Sequence, residues 1–172
     1  MSRFIAESLY NYLSDSPFLK TFDRYKVLIP IPRSNPVPED GLWVPKRIAD
    51  EMVRKGLGND VVPCLIRAKP VNKSSQSVSS QRPLPSVHYD SLSVEQTVTE
   101  LNEVILIDDV ITRGSTLIAA ANKLIDSFPK IKIESFAAIR TISNPLEFRN
   151  WFNPVEGTIT FRSGLGDTIR TP

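Results

Sequence analysis

Residues 104–117 read VILIDDVITRGSTL. An apolar run at 104–107 meets two adjacent carboxylates, Asp108 and Asp109. A polar turn with Thr112, Arg113, Gly114, Ser115 and Thr116 follows, and apolar residues then recur at helical spacing from Leu117. Apolar runs of four residues bounded by turn signals read as buried strands, and the 3.6-residue period reads as a helix. Strand, acidic pair, tight turn and helix in that order form the start of a β-to-α connection. Two carboxylates this close repel each other, so the folded state or its ligand must offset the cost.

Working outward, the same alternation recurs. Residues 2–14 carry Phe4, Ile5, Leu9, Tyr12 and Leu13 at helical spacing. Residues 25–32, YKVLIPIP, read as a buried strand whose prolines fall at its exit, where the missing N–H does least harm. A punctuated loop leads to a helix over 44–56, with Val44, Ile48 and Met52 on one face and Gly56 placed as a stop. Residues 61–67, VVPCLIR, read as another strand. Residues 69–99 hold six serines between Ser74 and Ser86 and little periodicity, so a long flexible loop is expected there. Past the central motif, a helix over 115–128 carries Leu117, Ile118, Ala121, Leu124, Ile125 and Phe128, and 131–139 read as a strand. Residues 144–172 are less regular, with GTITF as a short edge strand.

Strands alternating with helices imply an α/β single domain over 1–172, with a mostly parallel central sheet flanked by helices. The regular alternation spans a core of about 25–140, and the chain ends lie outside it. In such sheets ligands sit outside the carboxyl ends of the strands. Arg33, Asp108 and Asp109 all follow strand ends of that kind.

The bulk numbers exclude several classes. With 41% hydrophobic and 23% charged residues the chain matches ordinary globular composition. A net charge of +2 carries no basic stripe, so nucleic acid is not expected as a direct ligand. Cys64 is the only cysteine and His88 the only histidine, which leaves no Cys/His zinc site, and Cys64 within VVPCLI reads as buried filler. No apolar run reaches the ~20 residues of a spanning helix. Glu7 falls where a signal peptide would need its apolar centre, so a cytoplasmic location away from membranes is expected.

The turn at 112–116 has the makings of a phosphate cradle. The first N–H groups of a helix have no partner in the helix, and its dipole favours an anion there. Gly114 permits close backbone approach, the hydroxyls add donors, and Arg113 adds charge. The upstream carboxylates would repel a phosphate, so they should serve another part of the same ligand. Ribose hydroxyls and a hydrated Mg²⁺ are the natural partners. Chance similarity to a flavodoxin-like or response-regulator domain accounts for the acidic pair but leaves the Thr/Gly turn without a use.

VILIDDVITRGST resembles the PRPP-binding motif of the type I phosphoribosyltransferases. The resemblance implies that Asp108 and Asp109 hold the ribose hydroxyls and are the catalytic pair. It implies that Thr112, Arg113, Gly114, Ser115 and Thr116 hold the 5-phosphate. VLIPIPRS is similar to the family's first strand and pyrophosphate loop, which places Arg33 and Ser34 at the pyrophosphate. Lys73, Arg82 and His88 are further candidates, brought in by the serine-rich loop. Residues 42–52 and 61–83, with Gln76 and Arg82, resemble the ComF-type members, although the cysteine-rich zinc element of those proteins is absent. Thr112 stands where the 6-oxopurine enzymes carry an Asp, and Arg113 is similar to the loop of the glutamine-PRPP amidotransferases, whose glutaminase half is missing.

What the resemblance implies is transfer of a phosphoribosyl group from PRPP to an unidentified, nitrogenous acceptor, with pyrophosphate release. Mg²⁺ would be held through PRPP and water near Asp108 and Asp109, with no direct protein metal site. The family also implies a homodimer. The alternative is a non-catalytic PRPP- or nucleotide-binding regulator in nucleic-acid metabolism. The resemblance further implies a small irregular hood from the chain ends, the amino-terminal helix or residues 144–172, that recognises the acceptor. There Trp151, Phe152 and Phe161 are candidates to stack on an acceptor base or to anchor the tail.

Overall fold

The computed structural model describes residues 1–12, 21–22, 24–35, 41–71, 83–95, 100–142 and 154–171. Its central sheet is built from β1 (Val27–Pro30), β2 (Asp60–Val61), β5 (Glu103–Ile111) and β6 (Lys132–Arg140). They lie in the order β2-β1-β5-β6, and every pairing is parallel. A parallel strand covered on both faces must be apolar on both, which is why β1 and β5 show runs instead of alternation. Leu28, Ile29 and residues 104–107 are almost wholly buried.

Helices α1 (Ser2–Tyr12) and α2 (Val44–Arg54) cover one face, where Leu28, Ile105 and Ile107 meet Ala6, Leu9, Ile48 and Met52. Helix α4 (Ser115–Ser127) covers the other, where Ile29, Val104 and Leu106 meet Leu117, Ala120 and Leu124. Truncating any of the central leucines or isoleucines to alanine should cost about 2–5 kcal/mol. The expected α/β class, with a parallel sheet between helices, is the one observed.

Gly56 ends α2 as the sequence suggests. At φ 77° its N–H donates to the Val53 carbonyl, and the Leu57 N–H donates to the Met52 carbonyl. These are the two bonds of a left-handed helix stop, and the buried Leu57 supplies the apolar contact that accompanies it.

Several expectations are corrected. The run at 61–67 is two strands, because Pro63 interrupts the ladder: Asp60–Val61 belongs to the central sheet, while β3 (Leu65–Arg67) pairs antiparallel with β4 (Leu92–Val94). The interval 69–99 is not one structureless loop, since it contains α3 (Pro85–Asp90) and β4. Pro85 opens α3 at its first position, where a missing N–H is harmless. Strand β5 continues to Ile111, so Asp108 and Asp109 lie within it.

On α1 the buried residues are Ala6 and Leu9, while Phe4 and Tyr12 are exposed; Leu13 is outside the described residues. On α4 the buried face is Leu117, Ala119, Ala120 and Leu124, and Ile125 is exposed. GTITF is not an edge of the central sheet. It lies in β7 (Thr158–Arg162), which forms a regular antiparallel hairpin with β8 (Asp167–Thr171) in place of the irregular tail expected. Among the described residues no helix is long and apolar enough to cross a membrane.

Candidate functional site

The site arises where two neighbouring strands part. Pro30 pairs with Ile107, and the Ile31 N–H donates to the Ile107 carbonyl at 2.8 Å. From there the chain leaves the sheet through Pro32, Arg33 and Ser34. Strand β5 runs on beside β6 alone, through Val110 opposite Ile139 and Ile111 opposite Arg140. One flank of residues 108–111 is therefore vacated. A cavity of about 350 Å³ occupies it, at the carboxyl end of the sheet. Arg33 and Ser34 form one wall; Leu42, Val44 and Pro45 form another; Asp108, Asp109 and Thr112 line the β5 side; Gly114, Ser115 and Thr116 line the helix side. The indole N–H of Trp43 donates to the Ile31 carbonyl at 2.8 Å and ties the second wall to the first.

Arg67 and His88 complete the lining. Arg67 is 5% exposed, although it is a cation at the end of an apolar strand. Its Nε donates to the Arg33 carbonyl at 3.0 Å, and Nη1 donates to Ser91 Oγ at 2.5 Å. Ser91 Oγ in turn donates to the His88 carbonyl at 2.6 Å. Burial lowers the Arg67 pKa to about 10, opposed by the carboxylate of Asp108, so the guanidinium remains charged at neutral pH. Sequence reasoning left Arg67 as a strand terminus. The signal was present: a lone charge closing the run VVPCLI has to be paired if it is buried.

Burial holds the Asp108 carboxyl well above the usual carboxylate range, and the charge of Asp109 pushes it the same way. Arg67 and the Asp109 N–H, which donates to Asp108 Oδ1 at 2.9 Å, oppose that rise. The Val110 N–H donates to Asp109 Oδ1 at 2.9 Å. The repulsion read from the sequence is thus partly met by a buried cation on one side and main-chain donors on the other.

Helix α4 opens on Gly114, in the left-handed region at φ 84°. The Ile118 N–H donates to the Gly114 carbonyl at 3.0 Å, so the N–H groups of Ser115, Thr116 and Leu117 have no acceptor within the helix. They face the anion-favouring end of the helix dipole. His88, 3% exposed on α3, brings Nε2 to 3.4 Å from Thr116 Oγ1; Nδ1 has no partner among the described residues. Burial, with a smaller effect from Arg67, lowers the His88 pKa to about 4 and keeps the ring neutral at pH 7. His88 therefore belongs to the packed wall of the cavity and is not carried on a loop.

The remaining candidates separate. Arg113 does not line the cavity; its charge helps, after the two bonds from Arg162, to hold Asp167 below the usual carboxylate range. Lys73, Gln76, Arg82, Trp151 and Phe152 lie outside the described residues. Phe161 sits on β7, half exposed and away from the cavity lining. Cys64 is buried, and burial pushes its thiol up to about 11, as expected of core filler. Among the described residues no group of three His, Cys, Asp or Glu side chains is placed to hold a metal.

A second contribution invisible in the sequence comes from the β7–β8 hairpin, which packs behind the turn. Ser115 Oγ and Thr168 Oγ1 share a hydrogen bond at 2.9 Å, and a Cβ on Gly114 would lie 2.7 Å from two carbons of Ile159. No protein-family model matches the chain, and no curated protein matches it.

Proposed function

We propose that the chain binds PRPP with Mg²⁺ and transfers its phosphoribosyl group to a nitrogenous acceptor, releasing pyrophosphate. The observation that carries this reading is the meeting, in one cavity of about 350 Å³, of two carboxylates, a glycine-started helix terminus and the cations Arg33 and Arg67. A phosphorylated sugar with a second anionic group presents the complementary chemistry at both ends.

Each residue then has a distinct task. The main-chain N–H groups at the start of α4, with the Ser115 and Thr116 hydroxyls, receive the 5-phosphate. Asp108 and Asp109 accept hydrogen bonds from the ribose hydroxyls. Arg33 and Arg67 offset the charge that builds on departing pyrophosphate. No covalent nucleophile is required: positioning and electrostatic stabilisation supply the rate when C1 becomes oxocarbenium-like. The paired carboxylates are hard oxygen donors suited to Mg²⁺ through water, and the ion supplies charge neutralisation of the leaving group when bound.

A second reading, a PRPP- or nucleotide-binding regulator without turnover, is favoured by one observation. Of the two cations that line the cavity among the described residues, Arg67 is already bonded to the Arg33 carbonyl and Ser91. Calorimetric titration of PRPP with and without Mg²⁺, on the intact chain and on Asp108→Asn/Asp109→Asn, tests the shared part. Metal-dependent binding lost in the double variant is expected; no binding to the intact chain overturns both readings. Pyrophosphate release with a panel of nitrogenous acceptors then separates enzyme from binder.

A further inference from the structure

We infer that the β7–β8 hairpin is a positioning element for the phosphate turn, and that Thr168 acts on the ligand through Ser115. This rests on the reading of the turn at 112–116 as the 5-phosphate site. Thr168 is 1% exposed and cannot itself reach a ligand in the cavity, yet its hydroxyl lies 2.9 Å from that of Ser115, which lines it. A serine hydroxyl has one proton to give. When Thr168 donates to Ser115 Oγ, the serine proton is free to point at the anion, and the two hydroxyls form a relay ending on a phosphate oxygen. Without Thr168, Ser115 can turn its proton to another acceptor.

The hairpin grips the turn at both ends. At its start, Arg170 donates through Nη1 to the Ile111 carbonyl at 3.3 Å, and through Nη2 to the Thr141 carbonyl at 2.7 Å. At its helix end, Ile159 occupies the space where a Gly114 side chain would stand. The end of β5 and the first turn of α4 are thus clamped from behind by residues remote in sequence. A turn held in this way is ordered before an anion arrives, which lowers the cost of ordering it on binding.

The test combines binding with hydrogen exchange, on the full chain. Thr168→Val keeps the shape and deletes the hydroxyl; it should weaken ribose 5-phosphate about five- to tenfold, the worth of one hydrogen bond, and leave inorganic pyrophosphate unchanged. Thr168→Ser should restore ribose 5-phosphate binding, which a packing role alone would not. In a Ser115→Ala background, Thr168→Val should have no further effect. In the unliganded protein, Thr168→Val should speed exchange of the amides of residues 114–117 and spare those of α2. Equal weakening of both ligands, additivity with Ser115→Ala, or unchanged exchange at 114–117 overturns the inference. If the intact chain binds neither ligand, the reading of the site fails instead, and the exchange measurement still decides whether the hairpin orders the turn.

Discussion

Replacing Gly114 by alanine tests the geometry of the turn that opens α4 most directly. Two costs are built into the position. The backbone sits at φ 84°, where an L side chain costs roughly 1–2 kcal/mol. The new Cβ would also lie 2.7 Å from Ile159 Cδ1, 2.7 Å from Cγ2 and 2.9 Å from Cγ1. A β-branched side chain has few rotamers, so no single rotation clears all three carbons, and crowding of this kind adds about 1–3 kcal/mol. The sum is a loss of about 2–5 kcal/mol in urea unfolding at neutral pH, read as a lower midpoint at unchanged slope. Trimming Ile159→Ala in the Ala-substituted background removes the crowding and leaves the backbone cost. The pair should therefore couple by about 1–3 kcal/mol in the double-mutant cycle. A Gly114→Ala protein within about 0.5 kcal/mol of the parent, or a cycle without coupling, would refute both the left-handed turn and its contact with the hairpin.

The other expectations are shorter. His88 carries a pKa lowered to about 4, so the unfolded chain takes up a proton below about 6.5 that the folded chain refuses. Its contribution is present above that range and is lost as pH falls from there to about 4, by about 3 kcal/mol at one decade per 1.4 kcal/mol. The difference between the parent and His88→Leu in urea midpoints from pH 7 to pH 4 isolates it. Subtraction is needed because Asp108, raised by burial, works in the opposite sense and loses stability as pH rises; a pH-independent difference would exclude a buried neutral ring. Arg67→Met deletes a buried cation with bonds to the Arg33 carbonyl and Ser91 and leaves Asp108 without its positive neighbour. A loss of about 3–5 kcal/mol is expected in thermal or urea melts, and one below about 1 kcal/mol would remove it from the structural core of the site. Arg33→Ala should raise the KM or Kd for PRPP about tenfold while leaving the melting temperature in place, as for a surface charge used in binding; unchanged kinetics would take it out of the site.

How much of this was legible in the sequence differs from element to element. The stretch from Glu103 to Ser127 announced itself because every signal there is local: apolar run, turn residues, helix period. Arg33, Asp108 and Asp109 could be placed on one sheet edge because parallel topology fixes where strand ends lie. The split at Pro63 was written in the chain but overruled by the apolar residues on both sides. Helix α3 was hidden by the serines preceding it, although Leu84-Pro85 opens it with a recognisable first position. Arg67, Thr168 and Ile159 were beyond reach for a different reason. Each acquires its role from a contact with a segment 24 to 53 residues away, such as Arg67 with Ser91 and Thr168 with Ser115. Spacing carries no information about such pairs.

The adjacent carboxylates of the motif are held by different neighbours. Along β5 the alternation that sends Val104 and Leu106 to the α4 face and Ile105 and Ile107 to the α2 face continues into the acidic pair. Asp108 falls on the side of Arg67, where a cation opposes its discharge, and each carboxylate accepts the next main-chain N–H. The compensation is incomplete, because Asp108 still stands well above the usual carboxylate range. An amide at that position would carry no charge to desolvate. On the proposed reading of the site, hydroxyl donors of a ribose or a hydrated cation entering the cavity would complete what Arg67 begins.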